Sequence, residues 1–449
     1  MTDDYHSAGR AGGATRSSSS VADTSGRRSV PLDGAEFLAD MKRMSAIGAT
    51  AGGGVQRLAA SKEDGEVRDW VAGWLREHDF TIRVDAIGNL YGVYEWRPGA
   101  PYVVCGSHLD SQPLGGQLDG AYGVLAAAHA ADRLRRQVVT SGVTPMYNIA
   151  VADWTNEEGA RFQPSLLGSS VYAKQMTADE ALALVDGDGI SLREALASIG
   201  YLGSHDVPWP PAAYAEVHIE QGHGLEEAGI PIGLVSTNWA AYKYEIEVIG
   251  EQSHTGPTPM DERKDALLGA AHLIIAARTL ADELAPEVLH TSVARVLTQP
   301  NSPNTVTSHA TLFLELRSPD LDVLGAAEKL FFEAADEVQR SVGVKLIYRQ
   351  ATKRDVLHLD RRGVELARLS AEAIGLASME IGTVAGQDAI AVAGVTQSVL
   401  VFVPSTIGHN EREHASEVDL VNGVDALTEI VTRMCHGESI DFEHDGAAG

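Results

Sequence analysis

The chain has 449 residues, and its 62 acidic against 35 basic residues leave a formal net charge of -27. That balance excludes nucleic acid and anionic membrane surfaces as partners, because phosphate binding needs concentrated Lys and Arg. Two cysteines, Cys105 and Cys435, and no apolar run near the roughly 20 residues of a membrane helix leave a chain of two or three domains expected in the cytoplasm.

In chain order, residues 1–30 are rich in Ser, Gly, Arg and Thr without a hydrophobic segment, so a disordered tail is expected rather than a secretory signal. Apolar periodicity predicts helices over Glu36–Ile47 and Lys62–His78, then strands at Thr81–Val84, Leu90–Val93 and Tyr102–Cys105. A helix from Tyr122 to Ala131 and buried strands at Ile149–Trp154 and Tyr214–Val217 follow. The next segments read strand (Tyr244–Ile249), helix (Ala266–Glu283), strand (Leu289–Leu297), strand (Ala310–Leu316), helix (Leu324–Val342) and strand (Lys345–Arg349). That β-α-β-β-α-β order is the ferredoxin-like unit, and it reads as an insertion over 232–350. Strand-forming core sequence resumes near Gly382, continues at Ser398–Val403, and ends in a helix from Glu417 to Met434. The expected fold is therefore α/β, a mixed sheet flanked by helices formed by 31–231 and 351–436, with an inserted α+β domain and a flexible tail over 437–449.

Chemistry-bearing residues cluster where apolar runs end among glycines. His108 and Asp110 leave the strand Tyr102–Cys105 two residues apart, on one side of an extended chain, so the carboxylate of Asp110 can orient a metal-binding imidazole. Asp119 stands in a Gly-framed turn before a helix, and Glu157-Glu158 follow the buried strand that ends at Trp154. His218 and His409 likewise follow apolar strands. Singly, an Asp-Gly turn, a Glu-Glu pair or a strand-end histidine is most often structural. Together they put nitrogen and oxygen donors at the ends of successive strands, which suits zinc or a similar divalent metal. His414 is a competing candidate for the last of these, His409.

The strings Gly-Ser-His-Leu-Asp-Ser-Gln-Pro (106–113), Gly-Gly-Gln-Leu-Asp-Gly (115–120), Thr-Asn-Glu-Glu-Gly-Ala-Arg-Phe (155–162), His-Ile-Glu-Gln-Gly (218–222), Ser-His-Thr-Gly-Pro-Thr-Pro-Met (253–260) and Gly-His-Asn-Glu-Arg-Glu (408–413) resemble the hydantoinase/carbamoylase branch of the aminoacylase-related dinuclear metal amidohydrolases. The resemblance runs from about Pro31 to about Met434. It implies a metallopeptidase-type catalytic domain with a lid and dimerisation domain. It further implies two divalent ions, zinc first, with Mn, Co or Ni as alternatives. Asp119 would bridge them, His108 and His218 holding one and Glu158 and His409 the other. Glu157 would serve as general base and acid while a metal-activated water attacks a ureido or amide carbon. Gln221, Asn304, Arg317 and His254 would contact substrate, His254 from the partner subunit of a homodimer. The implied activity is hydrolysis of an N-carbamoyl-L-amino acid, with allantoate, ureidoglycolate or an N-acyl amino acid as alternatives. Two departures bear on that choice: Gly386-Gln387-Asp388-Ala389 stands for the usual Gly-His-Asp-Ala, and Tyr242-Lys243-Tyr244 for the usual Arg-Trp-Tyr.

Two other classes fit less well. A metal-free binding protein on the same fold predicts damaged ligands, and none is visible. A Ser or Cys amidase lacks a Gly-x-Ser-x-Gly elbow, and Cys105 lies in an apolar strand where a thiol is inert.

Overall fold

The computed structural model describes residues 32–438, so the expected tail over 1–30, and that over 437–449 apart from its first two residues, lie outside the described residues. Fifteen strands run β1 (Thr81–Val84), β2 (Leu90–Tyr94), β3 (Tyr102–Ser107), β4 (Asn148–Asp153), β5 (Pro211–Ile219), β6 (Ile232–Asn238), β7 (Ala240–Ile249), β8 (Ser253–His254), β9 (His290–Gln299), β10 (Thr305–Val306), β11 (His309–Ser318), β12 (Lys345–Arg354), β13 (Leu357–His358), β14 (Ser378–Thr383) and β15 (Ser398–Val403). Nine of them form one mixed sheet in the order β1-β2-β4-β3-β5-β15-β6-β13, with β14 paired to β6.

At its centre β3 runs parallel to β4 and to β5, and β15 runs parallel to β5. These four strands are near-continuous apolar runs, as expected of strands covered on both faces. Every residue of β4 and of β15 is buried. Helices Leu32–Ser45, Ala121–Ser141 and Glu417–Cys435 contribute Phe37, Met41, Met44, Leu125, Leu134, Leu427 and Ile430 to the same core. Because the four central strands are parallel, their C-terminal ends open at a single edge, where residues following them converge.

A second sheet, β12-β7-β11-β9, is antiparallel throughout. Period-two burial in β11 sends Leu312, Leu314 and Leu316 to one face, where they pack with Leu273, Phe331 and Ala335 of the helices Ala266–Leu284 and Leu321–Val342. The spatial order and the chain order together are those of a ferredoxin-like unit. Its first strand begins at Ala240, four residues ahead of the expected start at Tyr244, whereas the insertion as a whole was expected to begin at 232. Residues 232–238 are β6, held in the large sheet between β15 and β14, and β12 continues to Arg354. The apolar run of β6 gives no local sign of which sheet it will join; only pairing decides that. Helix Arg361–Ala373 and the short helices Leu167–Tyr172, Ala178–Leu182 and Leu192–Ser198 were not anticipated. The last two of these short helices are fixed by capping boxes, Thr177 with Glu180 and Ser191 with Glu194.

Beneath the open edge of the large sheet lies a buried ion network. Arg68 donates through Nε to Asp64 Oδ1 at 2.9 Å, and its Nη1 lies 3.0 Å from Asp153 Oδ2, with all three side chains fully buried. Asp153, at the end of β4, also accepts from the backbone of Leu109 at 3.0 Å. The segment carrying His108 and Asp110 is thus tied to the neighbouring strand.

Candidate metal centre

His108 follows β3, Glu157 and Glu158 follow β4, His218 ends β5, and His409 follows β15. Since β4, β3, β5 and β15 are adjacent and parallel, strand pairing alone brings these side chains to one place. Asp119 reaches it from the turn ahead of helix Ala121–Ser141. That turn requires glycine at 120, where φ is +64° and an added Cβ would stand 2.3 Å from the His108 ring.

Two groups of donors could each hold a metal ion: His108, Asp119 and His218, and Asp119, Glu158 and His409. Asp119 belongs to both. Its Oδ1 lies 3.2 Å from His218 Nε2 and 3.9 Å from His108 Nε2, while its Oδ2 lies 3.2 Å from His409 Nε2. His409 Nε2 is also 3.4 Å from Glu158 Oε2. The two inner imidazoles spend Nδ1 on backbone carbonyls, His108 on Asp110 at 2.9 Å and His218 on Ile219 at 2.9 Å. With Nδ1 spent on a carbonyl, Nε2 is the atom turned toward the Asp119 carboxylate, where either a proton or a cation must lie between them.

The electrostatics point the same way. Burial raises Asp119, but hydrogen bonds and charge from His218 and His409 outweigh it and hold this carboxyl well below the usual range. Burial pulls His108 down to about 4, whereas His218 is lifted to about 9 because its bond to Asp119 overcomes burial. Glu157 is pushed well up by burial and then by Asp388, Glu158, Asp110 and Asp119, and Glu158 rises to about 7 through burial and Asp119. Several acids are therefore packed together with too little positive charge among the protein groups, and divalent cations are what such a donor set accommodates.

The supporting contacts differ from the sequence expectation at Asp110. Its backbone carbonyl, not its carboxylate, engages His108; the nearer carboxylate oxygen is 3.7 Å from Nδ1. That carboxylate instead accepts from the backbone of Glu157 at 3.1 Å and of Glu158 at 3.3 Å, clamping the Glu-Glu loop against the His108 loop. Glu157 turns its carboxylate inward, 3.5 Å from His108 Nε2. Glu158 is held from its other side by Gln112, which donates through its backbone at 3.1 Å and through Nε2 at 2.9 Å. Gln221 lies in the site, but its side chain donates to Asp119 Oδ2 at 2.7 Å. Glu413 accepts from the backbone of Leu118 and Asp119 at 2.8 and 3.1 Å, fixing the Asp119 turn. Sequence reasoning quoted Gln112 and Glu413 within motifs and gave them no role, because a carboxylate or amide that braces a turn carries no local pattern.

The donors form one wall of a cavity of about 200 Å³ whose other walls include Leu166, Gly386 and Gln387 and, from the four-stranded sheet, Lys243, Arg317 and Arg354. Arg317 donates to the Val384 carbonyl at 2.6 Å and to Glu315 at 2.8 Å. Gln387, buried, accepts from the Thr383 hydroxyl at 3.2 Å. His254 and Asn304 do not line this cavity; His254 sits in β8, paired with Thr305 of β10, and Asn304 just precedes β10. The arrangement offers a metal centre, an adjacent buried carboxylate and a cationic wall facing both.

Comparison with known proteins agrees with this geometry. The chain is 49% identical over 418 residues to a Mycolicibacterium smegmatis protein carrying only a general hydrolase designation, which covers 91% of this chain and 95% of that one. It is 34% identical to an N-carbamoyl-L-amino-acid amidohydrolase of Rhizobium meliloti, over 86% of this chain and 93% of that protein. A crystal structure of a hydantoinase/carbamoylase family amidase from Burkholderia vietnamiensis superposes with a TM-score of 0.85 at 33% identity, covering 91% of this chain and 99% of the other. The signature of peptidase family M20/M25/M40 matches residues 104–433, a span containing every donor at the metal centre, and the chain belongs to that family.

Proposed function

We propose that the protein hydrolyses a linear carbon–nitrogen bond in a ureido or amide acid, an N-carbamoyl-L-amino acid first, using two divalent ions. The observation that carries this reading is the sharing of Asp119 between two donor groups with the Glu157 carboxylate alongside. In it, His108, Asp119 and His218 hold one ion, and Asp119, Glu158 and His409 the other, with zinc best suited to nitrogen and oxygen donors at this count.

Bound metal would supply a Lewis acid for the carbonyl oxygen and would make water acidic enough to attack near neutral pH. The protein performs the remaining steps. Glu157, whose pKa is raised by burial and neighbouring acids, accepts the proton of the attacking water. As the carbon–nitrogen bond breaks, Glu157 returns that proton to the departing nitrogen. From a carbamoyl substrate this releases the amino acid and carbamate, which decomposes to ammonia and carbon dioxide. Arg317 at the opposite wall binds the substrate carboxylate, since its planar guanidinium suits that group. Relatives named allantoate amidohydrolase (Bacillus subtilis) and ureidoglycolate hydrolase (Arabidopsis thaliana), 28% and 30% identical, keep those two substrates as alternatives, and the neutral Gln387 in the cavity wall supports including them.

The four-stranded unit is proposed as lid and dimerisation element of a homodimer. Its edge strand β9 is unpaired on one side, and Leu267, Leu268 and Ile275 of helix Ala266–Leu284 and Leu297 of β9 stand exposed. A second copy covering that surface would account for them. It would also give His254 and Asn304, which lie outside their own chain's cavity, a site to complete. Among the described residues no helix is long and apolar enough to cross a membrane, and we place the protein in the cytoplasm.

Three outcomes follow. Chelation should abolish turnover in a release assay over N-carbamoyl-L-amino acids, allantoate and N-acyl amino acids, and added Zn, Mn, Co or Ni should restore it on at least one class. Full activity in protein shown by elemental analysis to be metal-free would contradict the reading. Glu157→Gln should lower kcat by about 100-fold or more with metal content retained, whereas Glu158→Ala should lose metal; the reverse pattern would exchange the two roles. Finally, Glu157→Gln and His254→Ala chains, each inactive alone, should recover up to about a quarter of wild-type activity after random subunit exchange of a symmetric dimer. No recovery once exchange is demonstrated would mean that each site is completed within its own chain.

A further inference from the structure

The cationic wall of the cavity holds more positive charge than one substrate carboxylate requires. Lys243, Glu315, Arg317 and Arg354 share a face of the four-stranded sheet, because Lys243 pairs directly with Glu315, and Ala241 pairs with both Arg317 and Arg354. The opposite face is apolar and packs on the helices, so this face is the one turned to the cavity. Glu315 binds Lys243 at 3.0 Å and Arg317 at 2.8 Å. Three cations against one carboxylate leave a surplus of two positive charges.

Arg354 is the unusual member. Among the described residues it forms no ion pair with a carboxylate. Its Nη2 reaches only the Trp239 carbonyl, at 3.4 Å, and its Nε is buried without a hydrogen-bond partner. Burial, then repulsion from Arg317, holds its pKa below the ordinary guanidinium value. The cavity-lining glycine at 386 keeps backbone close beside it, since a Cβ there would stand 3.4 Å from Nη1. A half-buried guanidinium whose Nε is shut off from solvent without a partner is costly unless something anionic completes it. Arg317, by contrast, already commits one donor to Val384 and another to Glu315.

We propose that the preferred substrate is a dianion, with one carboxylate taken by Arg317 and a second, on the substrate's side chain, taken by Arg354 and Lys243. This rests on the reading of the site as a carbon–nitrogen hydrolase and narrows its substrate class to N-carbamoyl or N-acyl derivatives of acidic amino acids.

The test compares the metal-reconstituted full-length protein on N-carbamoyl-L-aspartate and -glutamate with their near-isosteric amides, N-carbamoyl-L-asparagine and -glutamine. The acids should exceed the amides in kcat/KM by about 10- to 100-fold, the range expected of a charge-assisted hydrogen bond. In Arg354→Gln that ratio should fall toward one, and in Arg354→Lys it should fall part of the way. Metal content and thermal unfolding report whether each variant is folded. For the unaltered protein, succinate should inhibit more strongly than its monoamide, which tests the second carboxylate without a variant. Equal kcat/KM on acids and amides, with turnover on both, overturns the dianion proposal and leaves the hydrolase reading intact. Turnover on neutral N-carbamoyl amino acids without any on these four compounds likewise overturns the dianion proposal, and no turnover on any N-carbamoyl or N-acyl amino acid or on allantoate removes the hydrolase reading and the proposal with it.

Discussion

The carboxylate of Asp119 is the constraint around which the rest of the molecule is arranged. It lies buried between His218 on one side and His409 on the other, with Glu157 and Glu158 close by. A group in that position must be held on its backbone side as well as its side-chain side. Glu413 grips the amides of Leu118 and Asp119, and the left-handed conformation at Gly120 lets the chain turn into the following helix without striking the His108 ring. Concentrating acids in this way opposes folding electrostatically. The ordering is sustained from below by Arg68 between Asp64 and Asp153, and from the neighbouring loop by Asp110 gripping the amides of Glu157 and Glu158.

The sheet supplies the convergence. Parallel pairing of β4, β3, β5 and β15 converts four sequence-distant strand ends into neighbours, so no long loop is needed to assemble the donors. The four-stranded sheet contributes the opposite wall with a different economy: one face is packed on its helices, and the other is left polar and cationic toward the donors. The acid groups that could hold metal and the basic groups proposed to bind a substrate's charge are thus carried on separate sheets.

Much of this was legible in the sequence, and the parts that were not have physical reasons. The buried parallel strands are apolar runs bounded by turn residues, and each delivers its polar group within a few residues of its end, so His108, Glu157, Glu158, His218 and His409 could be picked out as a set, though none stands out alone. The ferredoxin-like order was readable because its strands alternate and its helices are long and periodic. What failed was pairing information. The run at β6 could have belonged to either sheet, and only its partners β14 and β15 place it. The carboxylate of Asp110 was expected to orient His108, but two residues of separation cannot distinguish a carboxylate from its own backbone carbonyl as the nearer acceptor. His254, expected to reach a partner subunit's site, and Asn304 both lie away from their own chain's cavity. Arg354 went unremarked because a single arginine at a strand end looks like ordinary surface charge until the sheet register sets it beside Arg317.

The central claim is that Asp119 is shared by two bound cations. Crystals grown with zinc, with diffraction recorded on both sides of the zinc absorption edge, test it most directly. The account predicts two anomalous peaks per chain, one against His108 and His218 and one against Glu158 and His409, with an oxygen of Asp119 on each. A single peak, or peaks that leave Asp119 without a metal contact, would contradict it.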